Sequence, residues 1–488
     1  MSDIDDFSSA GRSESRGNGP AYAFYGDDFT GATDTLAHLA RAGLRTMLLF
    51  APPDTARLSM LGQLDALGVA GAARTMEPRA QQQELARVGT AFAALGVRVM
   101  HYKVCSTFDS APQTGSIGVA IRTLREHCAN ELVAVVGGQP NLRRYCVFGE
   151  LFAAAGADDD RQAIYRIDRH PTMSRHPVTP MNEADLRVHL QRQGLQNVQS
   201  IDWRCYAADD AALQSDVQRR LESKPDALLF DVLDDAHLHA IGRVIVRHAA
   251  AAPLLAVGAS SVAQAYASAL DEQGNSSAAN NAAPLARARG PVFVLAGSLS
   301  PLTEVQIGAA HSYLRVELDP QQMTGDTASV YLAERVAAIT GPLRDGRNVL
   351  AFTARRASKA VSAVSAAHTP ATADTATATS PDTAAKNAAL PQLAHACAAL
   401  LQQVLAAVRL QRIGIAGGDT SSIAVRALDA WGLSYLAPLS AGVTVCRLHA
   451  DRAELDGMEI MLKGGQMGDA ELFEQLVDGH AGDRAVER

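Results

Sequence analysis

Two carboxylates stand side by side in Gly26-Asp27-Asp28-Phe29-Thr30-Gly31-Ala32-Thr33-Asp34, directly after the short apolar run Ala21 to Tyr25. An apolar run ending this way reads as a strand turning into a helix, and ligands of open α/β sheets bind at the carboxyl ends of strands. Asp28, with Asp27 beside it, can accept bonds from a substrate's hydroxyls or take a proton, while the first helical turn offers free N–H groups. The plainer reading is a helix N-cap with solvated acids. A second polar segment, Tyr102-Lys103-Val104-Cys105-Ser106-Thr107-Phe108-Asp109-Ser110, also follows an apolar run and leads through Gly115-Ser116-Ile117-Gly118 into a helical pattern. Hydroxyls and a lysine at a strand end suit a small polyhydroxylated anion; the alternative is an ordinary polar connection. A third group gathers Arg166, Asp168, Arg169, His170, Arg175 and His176 among prolines. It reads as a carboxylate-binding cluster or a surface loop, and its histidines lack the spacing of metal ligands.

The second half carries three glycine-rich segments after apolar runs: Gly297-Ser298-Leu299-Ser300, Gly417-Gly418-Asp419-Thr420-Ser421-Ser422 and Lys463-Gly464-Gly465-Gln466-Met467-Gly468. Glycines let a backbone approach phosphates closely, and helix N-termini favour negative charge. Three such turns in one α/β unit predict a nucleotide site. None has the Gly-Lys-Ser/Thr ending of a Walker loop or a full Gly-x-Gly-x-x-Gly fingerprint.

The elements that must position these residues follow from the pattern of apolar runs. Beyond Ala21 to Tyr25, strand-like runs recur at Arg45 to Phe50, Val97 to Val104, Leu132 to Val136, Ala163 to Ile167, Ala227 to Val232 and Leu254 to Val257, with helical patterns between most of them. That alternation predicts an α/β fold with a largely parallel, helix-covered sheet. A second such series holds Val292 to Ala296, Val349 to Phe352, Arg412 to Ala416 and Met458 to Leu462. With 488 residues, two domains are expected: a ligand domain over 21–270 and a nucleotide domain over 291–478, joined by a linker at 271–290. Residues 1–20 and 479–488 read as tails, the first as a disordered one. The Ala/Thr/Ser/Pro/Asp stretch 365–389 reads as a disordered insertion, since it has no apolar periodicity to offset its ordering entropy.

Composition bounds the function. With 47% hydrophobic and 20% charged residues the chain is of the globular class, and a net charge of −8 argues against a nucleic-acid partner. The six cysteines are scattered without a Cys-x-x-Cys pair, as in reduced cytoplasmic proteins, and no metal site is expected from the residue pattern. No run of about 18 apolar residues occurs, so no membrane span is expected. The oligomeric state stays open, a homodimer included.

In this order the motifs resemble the four-carbon acid sugar kinase family, over about Tyr22 to Val477. The markers are Asp27 to Ala32, Gly417 to Ser421 and Leu462 to Gly468. The resemblance implies a cytoplasmic enzyme with an acid-binding and an ATP-binding domain that uses ATP and Mg²⁺ to phosphorylate a small sugar acid. By that match Asp28 and the Lys103, Cys105, Ser106 and Thr107 segment fall in the acid site. Ser298 with Ser300, Gly417, Gly418, Asp419, Thr420, Gly464 and Gly465 fall in the ATP site, Asp419 acting through the metal or the nucleotide's hydroxyls. Family members carry Asp-Ser-Thr-Leu-Arg-Gly where this chain has Cys105 to Ser110, so an acid and an arginine of the usual site are absent. Lys103, Arg143, Arg144, Arg169 and Arg175 are the nearest replacement cations by sequence. The expected substrate therefore shifts from threonate or erythronate toward an oxidised or branched relative such as 3-oxo-isoapionate. Two rivals stand beside this reading: a nicotinamide-dependent oxidoreductase, and a ligand-binding relative that has lost turnover.

Overall fold

The computed structural model describes residues 19–155, 163–176, 178–272, 284–297, 300–353, 381–465 and 467–479, with backbone alone at 381–391 and 419. The expected tail up to residue 18, the linker at 273–283, the insertion at 365–380 and the last residues 480–488 lie outside the described residues. From Pro381 the backbone is already helical, as the start of Pro381–Ala407. That corrects the expectation of a wholly unstructured 365–389: alanine is the strongest helix former, so an Ala-rich stretch adjoining a helix extends it.

Among the described residues one sheet of fifteen strands runs through the molecule. Across it lie Val198–Ile201, Ala227–Phe230, Val133–Val136, Leu254–Gly258, Val99–Lys103, Tyr22–Gly26, Ala66–Ala70 and Thr46–Leu49, then Ala430–Ser440, Val443–Ala450, Glu459–Lys463, Arg412–Ala416, Val292–Ala296, Asn348–Thr353 and Tyr313–Leu318. Both flanking series are parallel, and their central strands are buried throughout because helices cover both faces, while the outermost, Val198–Ile201 and Tyr313–Leu318, mix buried with more exposed residues. The antiparallel hairpin Ala430–Ser440/Val443–Ala450 joins them, pairing Gly432 with Leu49 and Leu433 with Leu48 on one side and Cys446 with Ile460 on the other.

The sequence pattern had not marked this hairpin, nor Ala66–Ala70, Val198–Ile201 and Tyr313–Leu318. These strands mix apolar with small or polar residues. The run at Ala163 to Ile167 was expected as a parallel strand but belongs, as Ile164–Arg166, to a separate four-stranded antiparallel sheet with Gly138–Gln139, Arg144–Val147 and Glu150–Ala154. A short exposed run carries too little periodicity to separate the two cases.

One core is continuous across both halves, from Phe24 and Leu48 through Leu433 to Phe293 and Ile413. The opposite face splits into a first-half core around Tyr25, Phe92 and Tyr102 and a second-half core around Val294, Met461 and Phe473. Residues 284–290, placed in the linker by composition, run against the second half: Leu285 is buried, and Arg412 Nη2 donates to the Ala286 carbonyl at 2.9 Å. Among the described residues no helix is long and apolar enough to cross a membrane.

Candidate active site

Strand register brings the first constellation together. Gly26 lies beside Ala70 on one neighbour and Lys103 on the other, and Lys103 beside Gly258, so whatever follows these strands shares one crevice. After Gly26 come Asp27 and Asp28. Asp28 is extended at φ −142° and caps the helix Phe29–Arg41, accepting from Gly31 N at 3.0 Å and Thr30 Oγ1 at 2.9 Å. Asp28 is thus the N-cap, but the two acids are largely buried rather than solvated, and the same carboxylate also faces two cations. Arg74 Nη1 donates to Asp28 Oδ2 at 3.0 Å, and Lys103 Nζ stands 3.5 Å from Oδ1. Arg74 grips Asp27 with both prongs, Nε to Oδ2 at 3.1 Å and Nη2 to Oδ1 at 2.7 Å.

Burial pushes the Asp28 carboxyl up, but Arg74, Lys103, Thr30 and the Gly31 amide outweigh it and hold it well below the usual carboxylate range. Asp28 is therefore ionised and a weak base. At Asp27 burial wins over Arg74 and its pKa is raised. Gly31 leaves room for the lysine: an added Cβ would fall 1.6 Å from Lys103 Nζ and displace it.

Arg74 was missed by the sequence reading. It sits in the short 3-10 turn Ala73–Thr75, four residues beyond Ala66–Ala70. The strand-end rule that found Asp28 and Lys103 would have found it too, had that small-residue strand been recognised.

The segment after Lys103 stays beside Arg74, which interacts with its Cys105 and Asp109. Thr107 Oγ1 lies 2.5 Å from Asp109 Oδ1 and 3.0 Å from Cys105 Sγ, and Ser106 is partly exposed. Burial, then Asp109, push the Cys105 thiol up to about 11, so it is a neutral group where an acid was expected from the family pattern. Phe108 is fully buried at φ +54°, a conformation bulky residues rarely adopt outside constrained sites. Behind it Ser110 bonds His189 Nε2 and Gln193 Nε2, both at 2.8 Å, in a buried network that pins the segment.

Arg74 interacts electrostatically with Asp109 and Cys105, so it stands beside the altered segment along with Lys103 and Arg144, two of the cations nearest in sequence. Arg144 donates to the Leu142 carbonyl, its buried Nε has no partner among the described residues, and it lies close enough to Cys105 to interact electrostatically. Arg166 and Arg169 are instead paired with Asp168, and His170 Nε2 meets the Ala154 carbonyl at 3.2 Å, so this third group serves the small sheet.

In the second half, Val292–Ala296, Arg412–Ala416 and Glu459–Lys463 are adjacent strands, which sets the three glycine turns side by side. Gly297 N donates to the Ala416 carbonyl and Gly417 N to the Lys463 carbonyl, both at 2.9 Å. Gly417, at φ +125°, precedes the helix Gly418–Arg426; among the described residues no side chain caps it, and nothing beyond the helix itself lies within 4 Å of where a Cβ of Gly418 would sit. That open helix start, with uncapped N–H groups, fits phosphate oxygens. Thr420 packs against Gly297, whose added Cβ would fall 2.2 Å from Thr420 Oγ1. Ser300 caps Pro301–Ala309 and, with Thr303, donates to the Gly465 carbonyl. Ser298 lies outside the described residues, as does the side chain of Asp419. Among the described residues no three or more His, Cys, Asp or Glu stand together as a metal site.

The two constellations face each other. A Cβ at Gly464 would stand 3.8 Å from Thr30 Oγ1, which is itself bonded to Asp28.

A family model described as a sugar-binding N-terminal domain matches residues 22–266, and one described as a nucleotide-binding C-terminal domain matches 293–473. The chain is 35% identical over 465 residues to a Paraburkholderia graminis protein named 3-oxo-isoapionate kinase, covering 94% of each chain. It is 30% identical over 462 residues to a Methylobacterium radiotolerans protein named 3-oxo-tetronate kinase, covering 93% of this chain and 97% of that one. Its fold is shared by a Salmonella typhimurium protein of known structure at a TM-score of 0.69 and 21% identity, covering 93% of this chain and 97% of that one. A Haemophilus influenzae structure matches at a TM-score of 0.64 and 21% identity, over 93% and 98%.

Proposed function

The chain belongs to the four-carbon acid sugar kinase family, and from that premise we propose that it moves the γ-phosphate of ATP onto a hydroxyl of a small 3-oxo or branched sugar acid. The observation that carries this reading is the meeting of Thr30 and Asp28, at the acid-binding strand ends, with the Gly464 turn of the nucleotide half. Phosphoryl transfer passes through a loose transition state and asks mainly for positioning and charge stabilisation. Asp28, ionised and weakly basic, orients the attacking hydroxyl by accepting its hydrogen bond. Lys103 and Arg74 draw in the anionic acid, and Arg144, with its unpartnered Nε, is the further cation for its carboxylate. Gly417, Gly418 and Thr420 at the open helix start, with Gly464 and Ser300, receive the phosphates. Mg²⁺ brought in with the nucleotide would supply charge to neutralise the phosphates held at these turns.

The substrate is argued from Cys105 and Asp109. A neutral thiol and a carboxylate engaged by Thr107 change both the charge and the hydrogen-bond inventory that a straight-chain tetronate meets elsewhere in the family. The relative named 3-oxo-isoapionate kinase supports a branched 3-oxo acid. Membership of the kinase family leaves the oxidoreductase reading of the glycine turns without support. ADP release across C3 to C6 sugar acids and their oxo forms tests the proposal. A branched 3-oxo acid should show far higher kcat/KM than threonate or erythronate. Equal efficiency with either plain tetronate would sink the substrate assignment, and ATP binding without transfer to any acid would favour a binding protein.

A further inference from the structure

Behind the Gly464 turn, Lys463 is only 1% exposed. Its Nζ donates to Thr303 Oγ1 at 3.0 Å and to Gln306 Oε1 at 2.6 Å. Both acceptors belong to Pro301–Ala309, and both hold the turn: Thr303 donates to the Gly465 carbonyl at 3.3 Å, and Gln306 Nε2 donates to the carbonyls of Met467 at 3.1 Å and Asp469 at 2.7 Å. Among the described residues no carboxylate lies within ion-pair distance of Lys463. Glu304 is on the exposed face of the helix, Asp469 turns its carboxylate to Ser440 and Gln475, and Glu459, at the far end of the lysine's own strand, is paired with Arg412. An ammonium buried among neutral acceptors is costly, and it has a third N–H beyond the two committed here.

We propose that Lys463 is the buried counter-charge of the nucleotide's phosphates, acting from behind the glycine turn that Thr303 and Gln306 brace. This rests on the reading of that turn as phosphate-facing. Without ligand, burial pulls the lysine down to about 7, so near neutral pH it is partly uncharged. Anionic phosphates in front of the turn favour the charged form, so binding and protonation reinforce each other reciprocally.

Calorimetric titration with MgADP at pH about 8, in two buffers of different ionisation enthalpy, tests this; the native chain should take up about one proton per nucleotide. Lys463→Met should bind MgADP about tenfold or more weakly and without that uptake. Lys463→Arg, charged throughout, should bind without uptake. Should the Met variant fail to fold, Gln306→Glu sets a carboxylate beside the ammonium, keeps it charged before ligand arrives and should likewise abolish the uptake. No uptake by the native chain, or equal uptake in the variants, overturns the inference. Failure of the native chain to bind MgADP, or binding indifferent to Gly418→Val, would overturn the phosphate-site reading itself.

Discussion

Arg74 holds both neighbouring carboxylates, with a two-pronged grip on Asp27 and a single bond to Asp28. Replacing it by Met leaves Asp27, 4% exposed, without its cation. A buried charge stripped of its partner costs about 3–5 kcal/mol, so Arg74→Met should lose stability of that order in denaturant melts. Its turnover with sugar acid should fall at least ~100-fold while MgADP affinity holds. Unchanged turnover would remove Arg74 from the site. Asp28→Asn should likewise cost ~100-fold or more in kcat with nucleotide binding nearly intact. Because Asp28 is depressed in the folded state, its stabilising contribution is present above the unfolded carboxylate value and is lost only as pH falls through the lower folded one. The pH profile of kcat should therefore show no inflection from Asp28 between about pH 5 and 8. Lys463 has the opposite consequence. Its folded value, about 7, lies below that of an unfolded lysine, so the folded state sheds its proton first. Stability of the nucleotide-free protein should rise between pH 7 and about 10.4, and Lys463→Met should flatten that rise in thermal melts.

At the scale of elements, the second half places three strand ends in a row and lets glycine decide what can approach each. Among the described residues nothing beyond its own helix lies within 4 Å of where a Cβ of Gly418 would sit, so Gly418→Val should cost well under ~1 kcal/mol of folding stability. It nevertheless blocks backbone approach by phosphate, so MgADP affinity should fall at least ~10-fold with sugar-acid binding unaffected. Gly297→Ala is the contrast: its Cβ collides with Thr420 at 2.2 Å, and melting temperature should drop along with affinity. Retained MgADP affinity in the Gly418 variant would move the phosphate site elsewhere. The polar segments after Tyr22–Gly26 and Val99–Lys103 and the glycine turns were legible because each follows a conspicuous apolar run. Arg74 was not, because Ala66–Ala70 is short and built largely of small residues. Thr303 and Gln306 were not, because they sit on the inner face of a helix where polar residues signal nothing until their partners are known.

At the scale of the whole molecule, the hairpin Ala430–Ser440/Val443–Ala450 makes two halves into one sheet. Arg57 reaches across this seam, bonding both oxygens of Asp451 at 3.1 Å and lying over Trp431. Arg426 of the second half stacks on Phe29 of the first. The Arg57 pair, with Asp451 largely exposed, is screened by water and adds little; the seam is held mainly by apolar burial. Leu433 is fully buried opposite Leu48, so Leu433→Asp should destabilise by several kcal/mol and split one calorimetric transition into two. A single, unshifted transition in that variant would show that the halves cohere by other contacts.

By itself the sequence determined the α/β class, the two series of strands, and which strand ends carry polar or glycine-rich chemistry, since hydrophobic periodicity and turn residues are local properties. Tertiary structure alone decided that Gly26, Ala70 and Lys103 lie level, which delivers Arg74 to Asp27 and Asp28 from 46 residues away or more. It decided that the Gly464 turn meets Thr30, and that Lys463 is buried with no carboxylate at ion-pair distance among the described residues. These are matters of strand order, register and desolvation. They depend on partners far apart in the chain, whose distances and loss of water exist only once the sheet has formed.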